Sequence, residues 1–397
     1  MLVIPPKKTI RDIDISGKTV LVRVDFNVPL DKDRNVTDDT RIRAALPTIR
    51  YILDQNAHPV LMSHLGRPKG RVVESLRMAP VAKKLKELLK HKVVYVRDCV
   101  GPSVKAAIDK NKDAVILLEN LRFHPGEREN VPDFAKQLAE LGDVFVNDAF
   151  ATSHRAHAST VGVTAFLPSV AGFLMERELE VLGSLLEEPE RPFVVVLGGN
   201  KVSDKLGVID SFLDLADVIL TGGGMCFTIL KSMGLEVGQS VIEEEQVQQV
   251  ATTLRRARKK GVRILTPSDF VVADRFDRSA NSRIVPCESI PADWMGLDIG
   301  PATIKKYCSV IKDSKTIFWN GPMGVFEWPA FENGTKKIAL CIAESPAKKI
   351  VGGGDSDAAL RQFNLENRMD FVSTGGGASM RLLEGKKLPA VEALDDL

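Results

Sequence analysis

Four arginines, Arg41, Arg67, Arg122 and Arg155, and three histidines, His64, His154 and His157, cluster in or just after segments that close strand-like runs early in the chain. Arginine's planar, permanently charged fork suits carboxylate and phosphate, so this set predicts a small, strongly anionic ligand. The stretch "VRVDFNV" (22 to 28) adds Asp25 and Asn27, which accept and donate hydrogen bonds and suit a hydroxyl. A metal centre is disfavoured here. His154 and His157 stand three residues apart with Arg155 between them, and a bound cation would repel that guanidinium.

The later part of the chain carries a different signature. Glycines follow each of four strand-like runs: Gly198 and Gly199, the triplet 222 to 224, the triplet 352 to 354, and the triplet 375 to 377. Glycine permits tight turns and close backbone approach, and amides at a following helix N-terminus favour phosphate. Four such turns on one sheet edge predict a nucleotide. Neither a G-x-x-x-x-G-K-[ST] loop nor a G-x-G-x-x-G fingerprint is present, so neither common nucleotide motif accounts for them. Instead "GGNKVSDK" (198 to 205) places Lys201 and Lys205 one helical step apart after its turn, and "GGGDSDAA" (352 to 359) places Asp355 after its glycines. A lysine neutralises a transferring phosphoryl group, and a carboxylate holds Mg²⁺.

Such residues need rigid elements to aim them. Apolar runs such as "VLVRVDF", "PVLMSH", "AVILLEN" and "DVFVNDAF" alternate with segments of three-and-four apolar spacing such as "RMAPVAKKLKELLK", and the pattern continues through "FVVVLGG", "DVILTGGG", "DFVVAD", "KTIFWNGP" and "DFVSTGGG". Strands alternating with helices predict parallel sheets covered on both faces. The expected fold is α/β, two doubly wound, Rossmann-like parallel-sheet domains, with ligands beyond the carboxyl ends of the strands. The stretch "PSVAGFLMERELEVLGSLLEE" (168 to 188) is expected to be one helix joining the two. The expected boundaries are 1 to 170 for the first domain and 171 to 388 for the second.

Composition separates the same halves. Residues 1 to 170 hold 27 Lys and Arg against 20 Asp and Glu, the remainder 27 against 32, and 23 of the 30 glycines lie in the remainder. A basic first half suits an anionic partner. No stretch reads as a signal peptide or reaches the roughly 20 apolar residues of a membrane helix, so the expected setting is cytoplasmic. The five cysteines, with no C-x-x-C pair, are expected to be buried thiols rather than a disulfide framework or a zinc site.

The motifs "RVDFNVP", "SHLGRPKG", "SHRAHASTVG", "GGNKVSDK", "FWNGPMGVFE", "GGGDS" and "STGGGAS" together resemble the phosphoglycerate kinase family, in family order over nearly the whole chain. The resemblance implies reversible phosphoryl transfer between 1,3-bisphosphoglycerate with ADP and 3-phosphoglycerate with ATP, on Mg²⁺. It assigns Asp25, Asn27, Arg41, His64, Leu65, Gly66, Arg67, Arg122 and Arg155 to the phosphoglycerate. Lys201, Lys205, Gly296, Glu327, Gly353, Gly354, Asp355 and Ser356 go to the nucleotide, with Asp355 on its metal. It also implies a monomer working on small molecules rather than nucleic acid or membrane, and a C-terminal tail (389 to 397) packed on the first domain. Asn200 stands where the family commonly has a small residue, and Asp357 where a small or apolar one is usual.

The acceptor carboxylate is already ionised at pH 7, so the expected mechanism is in-line transfer without a general base. Arg41, Lys205 and the amides of Gly354 and Gly377 are the expected stabilisers of the transferring group, in a cleft that closes by hinge-bending to keep water from an acyl phosphate. Two rivals are a sugar-phosphate dehydrogenase, which lacks its nucleotide fingerprint here, and a non-catalytic nucleotide-binding protein, which would not need Arg41, Lys205 and Asp355 together.

Overall fold

The computed structural model describes residues 5 to 397 and divides into two compact units. One comprises the described residues through Glu180 together with Lys386–Leu397, the other Val181–Gly385.

In the first unit six strands form one sheet: β1 Thr19–Arg23, β2 His58–Met62, β3 Val93–Tyr95, β4 Val115–Leu117, β5 Val144–Asn147 and β6 Ser169–Ala171. Their order is β3-β4-β2-β1-β5-β6, with every pairing parallel. The chain leaves β1 toward β2 on one side and returns to β5 on the other, the topology that opens a crevice at the strands' carboxyl ends. Val20, Val22, Val24 and Phe26 are fully buried and pack with Ile42, Ile49 and Leu85 of covering helices. Alternation continues through Phe26, but the ladder ends at Arg23, so Asp25 and Asn27 lie in the loop beyond it.

The second unit repeats this logic with β7 Phe193–Leu197, β8 Val218–Thr221, β9 Arg263–Leu265, β13 Thr316–Asn320, β14 Lys348–Gly352 and β15 Phe371–Val372, ordered β15-β14-β13-β7-β8-β9 and parallel throughout. Both units are thus doubly wound α/β, as expected. The second also carries a three-stranded antiparallel sheet, β10 Asp269–Ala273, β11 Ser282–Pro286 and β12 Met295–Ile299, with β10 central.

Three expectations need correcting. The run "DFVVAD" is not a strand of the parallel sheet. It is β10, paired antiparallel on both sides, and an apolar run does not reveal the direction of its neighbours. The joining helix is shorter than 168 to 188: Ser169–Ala171 is drawn into the ladder beside β5, and the helix spans Phe173–Ser184. The cysteines are not all thiols. Cys308 and Cys341 sit on two helices, Pro301–Lys312 and Asn333–Glu344, with Cα atoms 5.5 Å apart, and form a disulfide. Cys99, Cys226 and Cys287 are buried and free.

Candidate functional site

The carboxyl end of the first sheet gathers cations where water is scarce. Arg23, the last residue of β1, is fully buried. Its Nε donates to Ser159 Oγ at 2.8 Å, and its Nη2 lies 3.2 Å from His64 Nδ1. Ser159 in turn donates from Oγ (2.7 Å) and from its backbone N–H (3.0 Å) to Glu127, a fully buried carboxylate 3.6 Å from His157 Nδ1. Burial alone would raise the Glu127 carboxyl. His157, Arg23 and Ser159 outweigh it and hold the group below its usual range. His157 is therefore a structural partner of Glu127, not a member of the open ligand face.

Around this buried pair the ligand face is built in layers. His64, in the loop after β2, is pushed well below its ordinary value by burial and then by Arg23, Arg122 and Arg41, so it stays neutral. Arg41, in the first turn of the helix Thr40–Asp54, is hydrogen-bonded to Asp25. Arg122 lies in a single turn, Leu121–Phe123, whose start is capped by Asn120. Its Nη1 donates to the Gly66 carbonyl at 2.8 Å, while Gly66 N–H donates to Asn27 Oδ1 at 2.8 Å. Burial, then Arg23 and Arg155, bring the Arg122 guanidinium down to about 10, and its Nε is buried without an acceptor. Arginines that depress one another with so few carboxylates between them describe a site for an anion. Leu65 is buried beneath the loop, held by Asn120, and Arg67 and Arg155 are exposed at its rim. Arg155 Nε donates to His154 at 3.0 Å.

The second unit uses backbone instead. Gly199 (φ +100°) and Gly353 (φ +94°) turn the chain in the left-handed region, at the carboxyl ends of β7 and β14. A Cβ on Gly198 would lie 2.0 Å from the Pro322 carbonyl, so the strand ends pack backbone to backbone there. The helix Gly354–Gln362 follows β14 with Asp355 and Ser356 in its first turn, where amides have no intrahelical acceptor. Ser356 Oγ accepts from Gly321 N–H at 2.6 Å and anchors that turn to the one after β13. Lys205, in the first turn of the helix Ser203–Phe212, is hydrogen-bonded to Asn320. Burial lowers its ammonium, with Asp204 and Asp355 pulling the other way. Gly377 opens the short helix Gly377–Leu383 after β15.

Beside these turns lies a cavity of about 420 Å³. Gly296, Glu327 and Asp355 line it, as do Gly199, Gly224 and Asn200, whereas Lys201, Lys205, Gly353, Gly354 and Ser356 stand outside its lining. Of its apolar wall of Phe227, Phe270, Met295, Leu297 and Val325, only Val325 falls within a quoted motif; the others were missed by sequence reasoning, because they come from the antiparallel sheet and the helix that covers it and look like ordinary core. The wall of Gly296 explains itself: a Cβ there would lie 2.2 Å from Phe227 Cζ. Asp298 also lines the cavity, itself buried, and desolvation pushes its carboxyl up to about 8 although Ile299 and Gly334 N–H donate to it. Of the two unusual residues, Asn200 faces the cavity, and Asp357 pairs along its own helix with Arg361 at 2.6 Å.

An anion face of desolvated arginines on one doubly wound unit, and phosphate-type turns beside a cavity with apolar and polar walls on another, define a phosphotransferase of the two-unit α/β class. Comparison with known proteins gives the family. The phosphoglycerate kinase family model matches residues 10 to 386. A phosphoglycerate kinase of Gloeothece citriformis is 53% identical over 399 residues, covering 98% of this chain and 100% of its own. That of Thermosynechococcus vestitus is 54% identical over 388 residues, covering 96% and 97%. Among solved structures, phosphoglycerate kinase from Coxiella burnetii aligns with a TM-score of 0.87 at 40% identity, and that from Pyrococcus horikoshii with 0.85 at 34%, each covering 98% of both chains. The chain belongs to the phosphoglycerate kinase family.

Proposed function

We propose that this glycolytic kinase moves a phosphoryl group reversibly between 1,3-bisphosphoglycerate with ADP and 3-phosphoglycerate with ATP, with the residue roles that follow. The observation that carries the reading is the desolvated cation cluster at the end of β1, in which Arg122 keeps a buried, unpartnered Nε beside Gly66 and neutral His64. A phosphorylated carboxylate is the kind of ligand that would complete it.

In this reading Asp25 and Asn27 orient the hydroxyl of phosphoglycerate, while His64, Arg67, Arg122 and Arg155, on the frame of Leu65 and Gly66, hold its charged groups. Gly296 and Glu327 receive the nucleoside end of ADP in the cavity, and Lys201, Gly353 and Ser356 receive its phosphates. Asp355 suits Mg²⁺: it is an exposed, hard oxygen donor at a helix start, and such ions take one or two carboxylates plus substrate phosphates. Bound there, Mg²⁺ would neutralise phosphate charge.

No proton has to be removed from the acceptor, because a carboxylate is the nucleophile. The work left to the chain is alignment and charge stabilisation of a loose, in-line transition state. Arg41 and Lys205 would act on the equatorial oxygens with the amides of Gly354 and Gly377. That requires the two units to close during turnover, excluding water that would hydrolyse the acyl phosphate. The domain division at 1 to 170 and 171 to 388 belongs to this reading, as do a monomeric state and a cytoplasmic setting. Among the described residues no helix is long and apolar enough to cross a membrane. A coupled assay of ATP formation from 1,3-bisphosphoglycerate and ADP tests the reading: turnover that needs Mg²⁺ is expected, and folded protein without activity overturns it.

A further inference from the structure

Outside the residues assigned above, the first unit brings together three chemically different donors. Asp98, Cys99 and His124 each offer one ligand atom, and these atoms all lie within 4.8 Å of one another. His124 Nε2 is 2.9 Å from Asp98 Oδ1, and the imidazole plane is fixed by stacking on Phe134, with centroids 4.9 Å apart and planes 25° from parallel. Cys99 forms the floor: it is fully buried, and its thiol donates to the Glu119 carbonyl at 3.0 Å. Asp98 is exposed, so the trio opens to solvent on one side.

We propose that Asp98, Cys99 and His124 form a binding site for a thiophilic divalent cation of the Zn²⁺ class, with water as the fourth ligand. The donor set selects the metal. One sulfur, one imidazole nitrogen and one carboxylate oxygen suit a borderline-soft ion, whereas Mg²⁺ and Ca²⁺ demand oxygen ligands. Three protein ligands with one open position is the arrangement of zinc sites that keep a water in the fourth place, rather than of closed structural ones. Binding moves the thiol proton to solvent and replaces the S–H bond to the Glu119 carbonyl with a sulfur–metal bond. The Glu119 side chain does not compete as a ligand, because it is already engaged by Arg77 Nη1 (2.8 Å), Met78 N–H (3.0 Å), Asn120 N–H (2.8 Å) and the Tyr95 hydroxyl. The inference rests on this geometry and is independent of the kinase reading.

The test is a Co²⁺ titration of the full-length chain after chelator treatment. A sulfur-to-cobalt charge-transfer band that saturates at one equivalent and is displaced by Zn²⁺ is expected. Cys99→Ser should abolish the band, and a Cys226→Ser/Cys287→Ser double variant should keep it. Asp98→Asn and His124→Phe, which alter a surface pair and leave the buried thiol in place, should each weaken Co²⁺ binding at least ~10-fold without changing the unfolding midpoint in metal-free buffer. These two variants carry the test even if Cys99→Ser does not fold. Absence of the band in the parent protein, its loss in the double variant, or unchanged affinity in both Asp98→Asn and His124→Phe would overturn the site.

Discussion

The two ligand-facing sheet edges solve the same electrostatic problem with opposite materials. On the first unit the edge is made of side chains: Arg23, Arg122, His64, Asp25 and Glu127 are all buried within hydrogen-bonding networks. On the second it is made of main chain, with Gly199, Gly353 and Gly376 at positive φ and helix starts behind them, and of its two assigned lysines Lys205 is half-buried and Lys201 exposed. Side-chain forks can discriminate a small anion by shape, as a compact acid phosphate requires. Backbone amides grip any phosphate, and the base is selected by apolar walls. The price of the first solution is desolvated charge, and that of the second is intolerance of a Cβ where the turns pack closely, as at Gly198, or run at positive φ, as at Gly199 and Gly353.

This contrast is broken most severely at Glu127. Replacing it with alanine leaves Arg23 buried without its main counter-charge, and removing one partner of a buried pair costs about 3–5 kcal/mol. Chemical unfolding followed by a probe in the first unit should show a loss of that size. A loss below ~1 kcal/mol would mean that the network is not what holds this edge. Next in size is Arg41→Ala, which should lower kcat at least ~100-fold through loss of one transition-state charge. The KM for nucleotide should be unchanged, and near-normal turnover would remove Arg41 from its assigned role.

On the second unit the matching lesion is a methyl group rather than a charge. Gly296→Ala places a Cβ against the Phe227 ring, overpacking that costs about 1–3 kcal/mol. The expected kinetic signature is a rise of about 10-fold in nucleotide KM, with KM for 3-phosphoglycerate constant. Equal changes in both constants would show that the two edges are not independent.

Much of this was legible in the residues, and what was not had physical causes. Alternation in "VLVRVDF" and the glycine turns located both sheet edges, because strand ends in doubly wound sheets are where ligands bind. Arg23 is ambiguous in sequence, since a charge within a strand reads either as part of the basic patch or as half of a buried ion pair. Glu127 and Ser159, 32 and 136 residues from their partners Ser159 and Arg23, decide it. His157 belonged to the same hidden network, so its apparent membership of the ligand cluster was an accident of sequence proximity to Arg155. The apolar cavity wall was invisible because residues such as Phe270 and Leu297 look like any core. The Cys308–Cys341 pair was invisible because a separation of 33 residues says nothing of two helices that come together.

Per pH unit, the smallest step separates the two edges by the sign of their response to pH. Asp298, in the cavity wall, is held neutral in the folded chain up to about pH 8, whereas in the unfolded chain it ionises near its ordinary value of 3.8. Between those values the unfolded chain binds fewer protons, so the Asp298 contribution is full below about pH 4 and is lost as pH rises, by at most about 1.4 kcal/mol per pH unit. His64, in the other unit, is the reverse: its folded value lies well below the ordinary 6.5, so the unfolded chain takes up the proton first and stability falls as pH drops below that point. Asp148, raised to about 6 by burial in the first unit, opposes His64 in the acid range, so the readout must be a difference between variant and parent. Hydrogen exchange in each unit, measured from pH 5 to 8, supplies it. The stability advantage of the parent over Asp298→Asn should shrink steadily as pH rises, because the variant has lost the titrating group. The deficit of the parent relative to His64→Gln should grow only as pH falls below 6.5. Parallel slopes in both variants would mean that the buried acid and the buried imidazole sense a common field rather than two separately built edges.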